Sequence, residues 1–197
     1  MTSALRLFTL LVYFAAPVIA LAQQADMPTI ASFKAGDAWE WRQVDNRTKL
    51  QEAKQIRTVV DIDGVLQFSN GTTNFQIPAS LVDGPYKPSS KPWRVWPLEV
   101  GKKWTVSVDW TRPDGVSGTL KQDAELLAYE EVVVPAGKFM AFKIEQRGWY
   151  SSSQGYRGKQ NDTFWYAPAA KADVKHIRDD NYNFYTRELV SYTHGAP

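Results

Sequence analysis

"WTVSVDW", Trp104–Trp110, decides the fold class. Trp104, Val106, Val108 and Trp110 take every second place, with Thr105, Ser107 and Asp109 between them. An extended chain turns successive side chains to opposite faces, so this spacing makes one dry side and one wet side, as a half-buried antiparallel strand requires. A helix would scatter the same four apolar residues around its circumference. "AWEWRQ" (38–43) repeats the pattern, with Trp39 and Trp41 opposite Glu40 and Arg42. In "KFMAFKIEQR" (138–147), Met140, Phe142 and Ile144 share one face, while Lys143, Glu145 and Arg147 share the other with Phe139 and Ala141. The charges of that stretch are therefore expected to mark the solvated side of a sheet rather than a catalytic Lys–Glu pair.

Turn signals punctuate the rest of the chain: Asp45-Asn46-Arg47, Asp63-Gly64, Asn70-Gly71, Pro113-Asp114-Gly115, Pro135-Ala136-Gly137 and Asp179-Asp180-Asn181. Asp-Gly and Asn-Gly suit two-residue hairpins, because both central residues of a type I′ turn need positive φ. The strands expected between them are 38–45, 52–62, 65–69, 73–77, 103–111, 117–134, 138–150, 162–166, 173–178 and 184–193. Strands joined by tight turns run antiparallel. "TKLQEAKQI" (48–56) carries helix formers without a complete apolar stripe and reads as a turn and the start of a strand. "DGPYKPSSKPWRVWP" (83–97), with four prolines, is expected to be a long surface connection or a boundary between two sheet halves. "SSSQGYRGKQND" (151–162) reads as a polar loop. The fold class is mainly β: a single strongly curved antiparallel sheet or half-barrel built from hairpins, with little helix.

The N-terminus, "MTSALRLFTLLVYFAAPVIALAQQ", has one basic residue at Arg6, an apolar run from Leu7 to Ile19, and small residues before Gln23. That is the pattern of a cleaved secretory signal over 1–22. The expected organisation continues with an extension at 23–35, one β domain over 36–193 and a tail at 194–197. No later stretch is apolar enough to span a bilayer. The chain has no cysteine, which removes disulfides, thiolate catalysis and a lipidated cysteine as ways to stabilise or anchor it. Its 23 basic and 21 acidic residues give a net charge of +2, which offers no broad attraction for nucleic acid or an anionic membrane.

Candidates for chemistry are few. Two histidines, His176 and His194, are too few for a histidine-based metal site. Neither a G-x-S-x-G nucleophile turn nor a phosphate loop occurs. Asp61 with Asp63, and Glu130 with Glu131, are paired carboxylates, but Asp63 is already accounted for by its turn with Gly64. No catalytic residue, metal ligand or cofactor is assigned.

The unusual feature is eight Trp, nine Tyr and nine Phe in one chain. A buried aromatic side chain removes roughly 150–250 Å² from water, about 4–6 kcal/mol at about 25 cal/mol/Å² as an upper bound. Most of these rings are expected to be core. Trp39, Trp41, Trp104, Trp110 and Phe142 would line the concave side of the sheet, where some would accept an apolar or sugar ligand, and Trp93 and Trp96, flanking Arg94, are further candidate ligand-binding residues and are expected to be the most exposed.

In order along the chain, "GDAWEW" (36–41), "WPLEVGKKW" (96–104), "VPAGKFMAFKIE" (134–145), "FWYAP" (164–168) with "VKHI" (174–177), and "ELVSY" (188–192) resemble a family of exported bacterial proteins of unknown function. The resemblance implies a periplasmic or secreted, nearly all-β domain. More distantly it is similar to the curved sheets of periplasmic lipoprotein carriers of the LolA and LolB type, which hold acyl chains in an apolar concavity, although the lid helices of that group have no counterpart here. The function expected is a non-enzymatic exported domain that takes an apolar small molecule, a lipid or a segment of a periplasmic protein. A carbohydrate-binding module with exposed Trp, or a carboxylate-dependent hydrolase, are the alternatives.

Overall fold

The computed structural model of the protein describes residues 32–77 and 93–195. The expected signal segment, and the connection from 78 to 92, lie outside the described residues. Ten strands are present: β1 (Ala38–Asp45), β2 (Gln51–Ile62), β3 (Val65–Ser69), β4 (Asn74–Gln76), β5 (Lys103–Thr111), β6 (Ser117–Val134), β7 (Gly137–Ser152), β8 (Arg157–Ala167), β9 (Ala172–Asp179) and β10 (Phe184–Thr193). One 3-10 turn, η1 (Pro168–Ala170), joins β8 to β9. All ten strands belong to one sheet in the order β4-β3-β2-β1-β10-β9-β8-β7-β6-β5, every neighbouring pair antiparallel. The sheet is curved and does not close into a barrel, leaving β4 and β5 as its two edges.

Two meanders, β1–β4 and β5–β10, meet where β1 pairs with β10. The chain therefore leaves the sheet at one edge, β4, and re-enters it at the opposite edge, β5. The connection between them has to pass from edge to edge. Its described end, 93–98, packs against the concave face, which corrects the expectation of an exposed surface segment: Arg94 and Leu98 are buried, and Trp93 and Trp96 are half-buried. The Trp93 carbonyl accepts from Gln146 Nε2 of β7 at 2.9 Å and from Trp104 Nε1 of β5 at 3.3 Å. Arg94 pairs with Asp173 of β9.

The core lies on the concave side. Phe33, Trp39 and Phe68 meet edge to face at centroid separations of 5.6–6.0 Å. Leu126, Phe142, Ile144, Tyr166, Val174 and Leu189 complete the same cluster. Phe33 brings the packed part of the chain three residues ahead of the boundary expected at Gly36.

Three local readings change. β7 continues to Ser152 and β8 begins at Arg157, so most of the polar loop expected over 151–162 is strand. The inward residues there are Gly158, Gln160 and Asp162, and a polar interior leaves no hydrophobic alternation to read. Phe139 and Ala141, assigned to the wet face, are buried, while Met140 is 46% exposed. The register slips between Leu126 and Ala128, a β-bulge at Leu127 that reorients the end of the β6–β7 hairpin. Phe139 then meets Tyr192 at 5.6 Å, and Ala136 N–H donates to the Leu189 carbonyl. Asp63-Gly64 is the expected two-residue turn, with φ of 54° and 81°. Asn70-Gly71 instead opens a four-residue loop, because Asn70 Oδ1 accepts from the backbone N–H of Thr72 and Thr73 at 3.0 and 2.9 Å.

Gly148 shows how tightly β6 and β7 approach. It stands between Gln122 of β6 and Gln160 of β8, and a Cβ there would sit 1.9 Å from the Lys121 carbonyl oxygen. With no side chain in the way, Gln122 reaches across β7 and donates to the Gln160 carbonyl at 3.1 Å. Gly148→Ala is expected to destabilise the protein by about 1–3 kcal/mol, read as a lower urea midpoint with an unchanged m-value.

Candidate functional site

Inward-facing positions across the middle of the sheet carry charge, which the aromatic pattern does not announce. Register places Gln146, Asp162, Arg178 and Tyr185 in one row, and Ile144, Phe164, His176 and Arg187 in the next. Trp41 of β1 and Arg57 of β2 complete the concave wall.

Asp162 is fully buried at the centre. It accepts from His176 Nε2 at 2.7 Å and Arg178 Nε at 2.8 Å on one oxygen, and from Gln160 Nε2 at 2.7 Å and Gln122 Nε2 at 2.9 Å on the other. Burial would push its carboxyl up, but the His176 hydrogen bond and the Arg178 charge outweigh burial and hold it far below the usual carboxylate range. Burial moves His176 the other way, below its ordinary value, despite the adjacent carboxylate. The imidazole is stacked on Phe164 at 4.2 Å and closed by the Tyr185 ring at 5.6 Å, so a charge there would be poorly solvated. Arg178 matches the charge of Asp162, and His176 serves as a neutral N–H donor.

Two connected hollows open above this network. The first, about 290 Å³, is walled by Trp41, Trp93, Phe164 and Tyr185 and carries Arg57, Arg178 and Arg187. The second, about 640 Å³, is lined by Trp93, Val108, Trp110, Leu120 and Tyr150, with polar groups of 178–183 at its rim. Trp93 and Arg178 border both, so the two form one groove. A larger hollow of about 880 Å³ lies on the opposite face among Lys121, Arg147, Arg157 and Lys159. Its walls are mostly exposed polar and charged side chains, whereas the concave groove has buried, oriented polar groups beneath it.

The structure divides the residues expected to line a site. Trp39 is almost fully buried and donates to the Ala170 carbonyl at 2.6 Å. Phe142 is packed on Tyr129 at 4.6 Å. Both are core. Trp96 packs edge-on to Tyr166 at 5.8 Å, and Trp104 packs against the same cluster. Trp41 borders the smaller hollow, its Nε1 bonded to the Asp173 carbonyl at 2.7 Å. Trp110 borders the larger one and Trp93 stands between. The Trp110 indole lies over Gly118, where any Cβ would be 2.3 Å from its ring.

Of the carboxylate pairs considered, Asp61 Oδ1 caps the turn at Gly64 N–H at 2.7 Å. Glu130 accepts from Trp165 Nε1 at 2.9 Å, and Glu131 lies 3.4 Å from Lys138. Sequence reasoning missed Arg57, Asp162, Arg178 and Arg187. The signal was present in part: Tyr185, Arg187 and Leu189 alternate on one strand face, as do Val174, His176 and Arg178 on another. A charged residue between inward apolar ones marks an interior that holds polar chemistry.

No protein family matches this sequence, and no curated protein resembles it. Among solved structures, a "putative lipoprotein" of Parabacteroides distasonis superposes with a TM-score of 0.53 at 12% identity, over 85% of this chain and 97% of that chain. The two share a fold. A "putative exported protein with YmcC-like fold" of Bacteroides fragilis matches more loosely, with a TM-score of 0.40 at 10% identity over 85% of this chain and 98% of that chain.

Proposed function

We propose that this chain is an exported, non-catalytic binding domain whose concave groove holds the apolar part of a ligand. The observation that carries this reading is the groove bordered by Trp93, Val108, Trp110, Leu120 and Tyr150, left open where the neighbouring concavity is filled by Trp39, Phe142 and Tyr166. A concave site with apolar and aromatic walls and a few oriented polar groups is the usual form of a small-molecule site. Export, with the periplasm as the proposed destination, is supported by the signal pattern of residues 1–22. A non-catalytic role is supported by the state of Asp162 and His176: the carboxylate is saturated by four donors, and the imidazole is held neutral beneath the groove.

A sugar platform fits less well. Stacking platforms need rings displayed to solvent, and Trp149, 46% exposed on the convex face, is flanked by Arg157 and Lys159, each 5.5 Å from its ring, rather than by a second indole.

The test is a titration with the neutral probe N-phenyl-1-naphthylamine. Bound probe is expected to gain fluorescence, and Trp110→Ala to weaken its binding by roughly fivefold or more, the loss of about 1 kcal/mol or more of aromatic contact. A fluorescence gain that Trp110→Ala leaves unchanged would place the probe elsewhere.

A further inference from the structure

Three arginines, Arg57, Arg178 and Arg187, line the smaller hollow together with Asp173, and their charges do not cancel. Arg178 is bonded to Asp162, and Arg94 to Asp173. Arg57 and Arg187 have no carboxylate partner among the described residues. Arg187 donates to the neutral Gln43 Oε1 at 2.9 Å. Arg57 lies over the rings of Phe68 at 4.8 Å, Trp41 at 5.4 Å and Phe75 at 5.9 Å. No hydrogen-bond acceptor among the described residues meets the guanidinium N–H groups of Arg57, the part that recognises oxyanions in a fork.

We propose that the Arg57–Arg187 end of the groove binds an oxyanion head group, a carboxylate or phosphate monoester, on an apolar body that runs past Trp93 towards Trp110 and Tyr150. The proposal rests on the reading of the groove as a ligand site and names the class of ligand. Uncompensated positive charge in a partly enclosed aromatic pocket is unfavourable unless an anion enters. Burial first, and then the Arg187 and Arg94 charges, pull Arg57 below the usual guanidinium range, with Asp173 opposing. An arriving anion would relieve that repulsion. The hollow of about 290 Å³ accommodates a head group, while the adjoining one, about 640 Å³, turns apolar along Val108, Trp110 and Leu120.

The experiment titrates the full chain, followed by tryptophan fluorescence and calorimetry, with laurate, dodecyl phosphate, dodecanol and inorganic phosphate, each below its aggregation concentration. Laurate and dodecyl phosphate are expected to bind at least roughly tenfold more tightly than dodecanol, with an affinity that falls as salt rises. Arg57→Gln and Arg187→Gln should each remove most of that advantage, lowering laurate affinity far more than dodecanol affinity. Arg57→Lys, which keeps charge but not the fork, should restore part of it, and thermal unfolding of each variant confirms that it is folded. Equal binding of laurate and dodecanol, or full laurate affinity in folded Arg57→Gln, overturns the head-group site and leaves the groove reading standing. Binding of inorganic phosphate as tight as dodecyl phosphate overturns the apolar body. No binding of dodecanol, laurate or dodecyl phosphate overturns both this proposal and the groove reading.

Discussion

Asp162→Ala is expected to cost about 3–5 kcal/mol, the range for stripping a buried ion of its partner. The substitution leaves the Arg178 guanidinium, the His176 N–H and the amides of Gln122 and Gln160 without their common acceptor beneath the concave face. Chemical unfolding at neutral pH measures it. A loss below about 1 kcal/mol, the worth of an ordinary exposed pair, would mean that the network adds nothing beyond what solvent supplies. The same site sets an acid response of definite sign. His176 has a folded pKa below its unfolded value of about 6.5, so its neutral form contributes stability above that pH, and the contribution is lost as pH falls. Asp162 is also depressed, so its contribution is present above an unfolded pKa of about 3.9 and is lost only in strong acid. Stability is therefore expected to decline from about pH 6.5 downward and to drop again below about pH 4. A flat urea midpoint between pH 7 and 5 would show that His176 is not held neutral by the fold.

Trp39→Ala is expected to be as damaging, for a different reason. Its indole is 2% exposed, meets Phe33 and Phe68 edge to face, and ties β1 to the carbonyl of Ala170 at 2.6 Å. Truncation removes the transfer energy of the ring and leaves a cavity, about 3–5 kcal/mol for Trp or Phe, and it strands a buried carbonyl as well. Total stability for a domain is about 5–15 kcal/mol, so this one side chain carries a large share. The urea midpoint should fall by at least about 1 M. Trp39→Phe, which keeps most of the packing and loses the hydrogen bond, should recover more than half of the loss. If Trp110→Ala lowered the midpoint as far as Trp39→Ala, the separation of filled core from open groove would be wrong.

These two residues show how much of the site was legible. Trp39 and Trp110 stand in the same kind of alternating strand, and the pattern correctly turns both to the concave side. It does not tell a packed ring from one that borders a groove, because that depends on what stands opposite. For Trp39 it is Phe33, Phe68 and η1. For Trp110 it is Gly118 on the neighbouring strand and open space beyond. Asp162, Arg178 and Arg187 were legible only in part, for a complementary reason. Alternation with apolar residues hints that Arg178 and Arg187 face inward, but the role of Asp162 shows only when His176 and Arg178, 14 and 16 residues away on the next strand, are brought beside it.

By itself, the sequence determined the antiparallel sheet, nearly all of its strands and most of its turns. Those features rest on local rules: the two-residue period of an extended chain, and the positive φ that Asp63-Gly64 tolerates. Tertiary structure decided the rest. Only when β10 closes against β1 do Arg57 and Arg187, 130 positions apart in the chain, face the same hollow. Only in the folded sheet does the segment just before β5 lie against the concave side and bring Trp93 and Arg94 to it. A charge acquires its meaning from the groups within a few ångströms of it, and those neighbours are set by how the whole sheet curls.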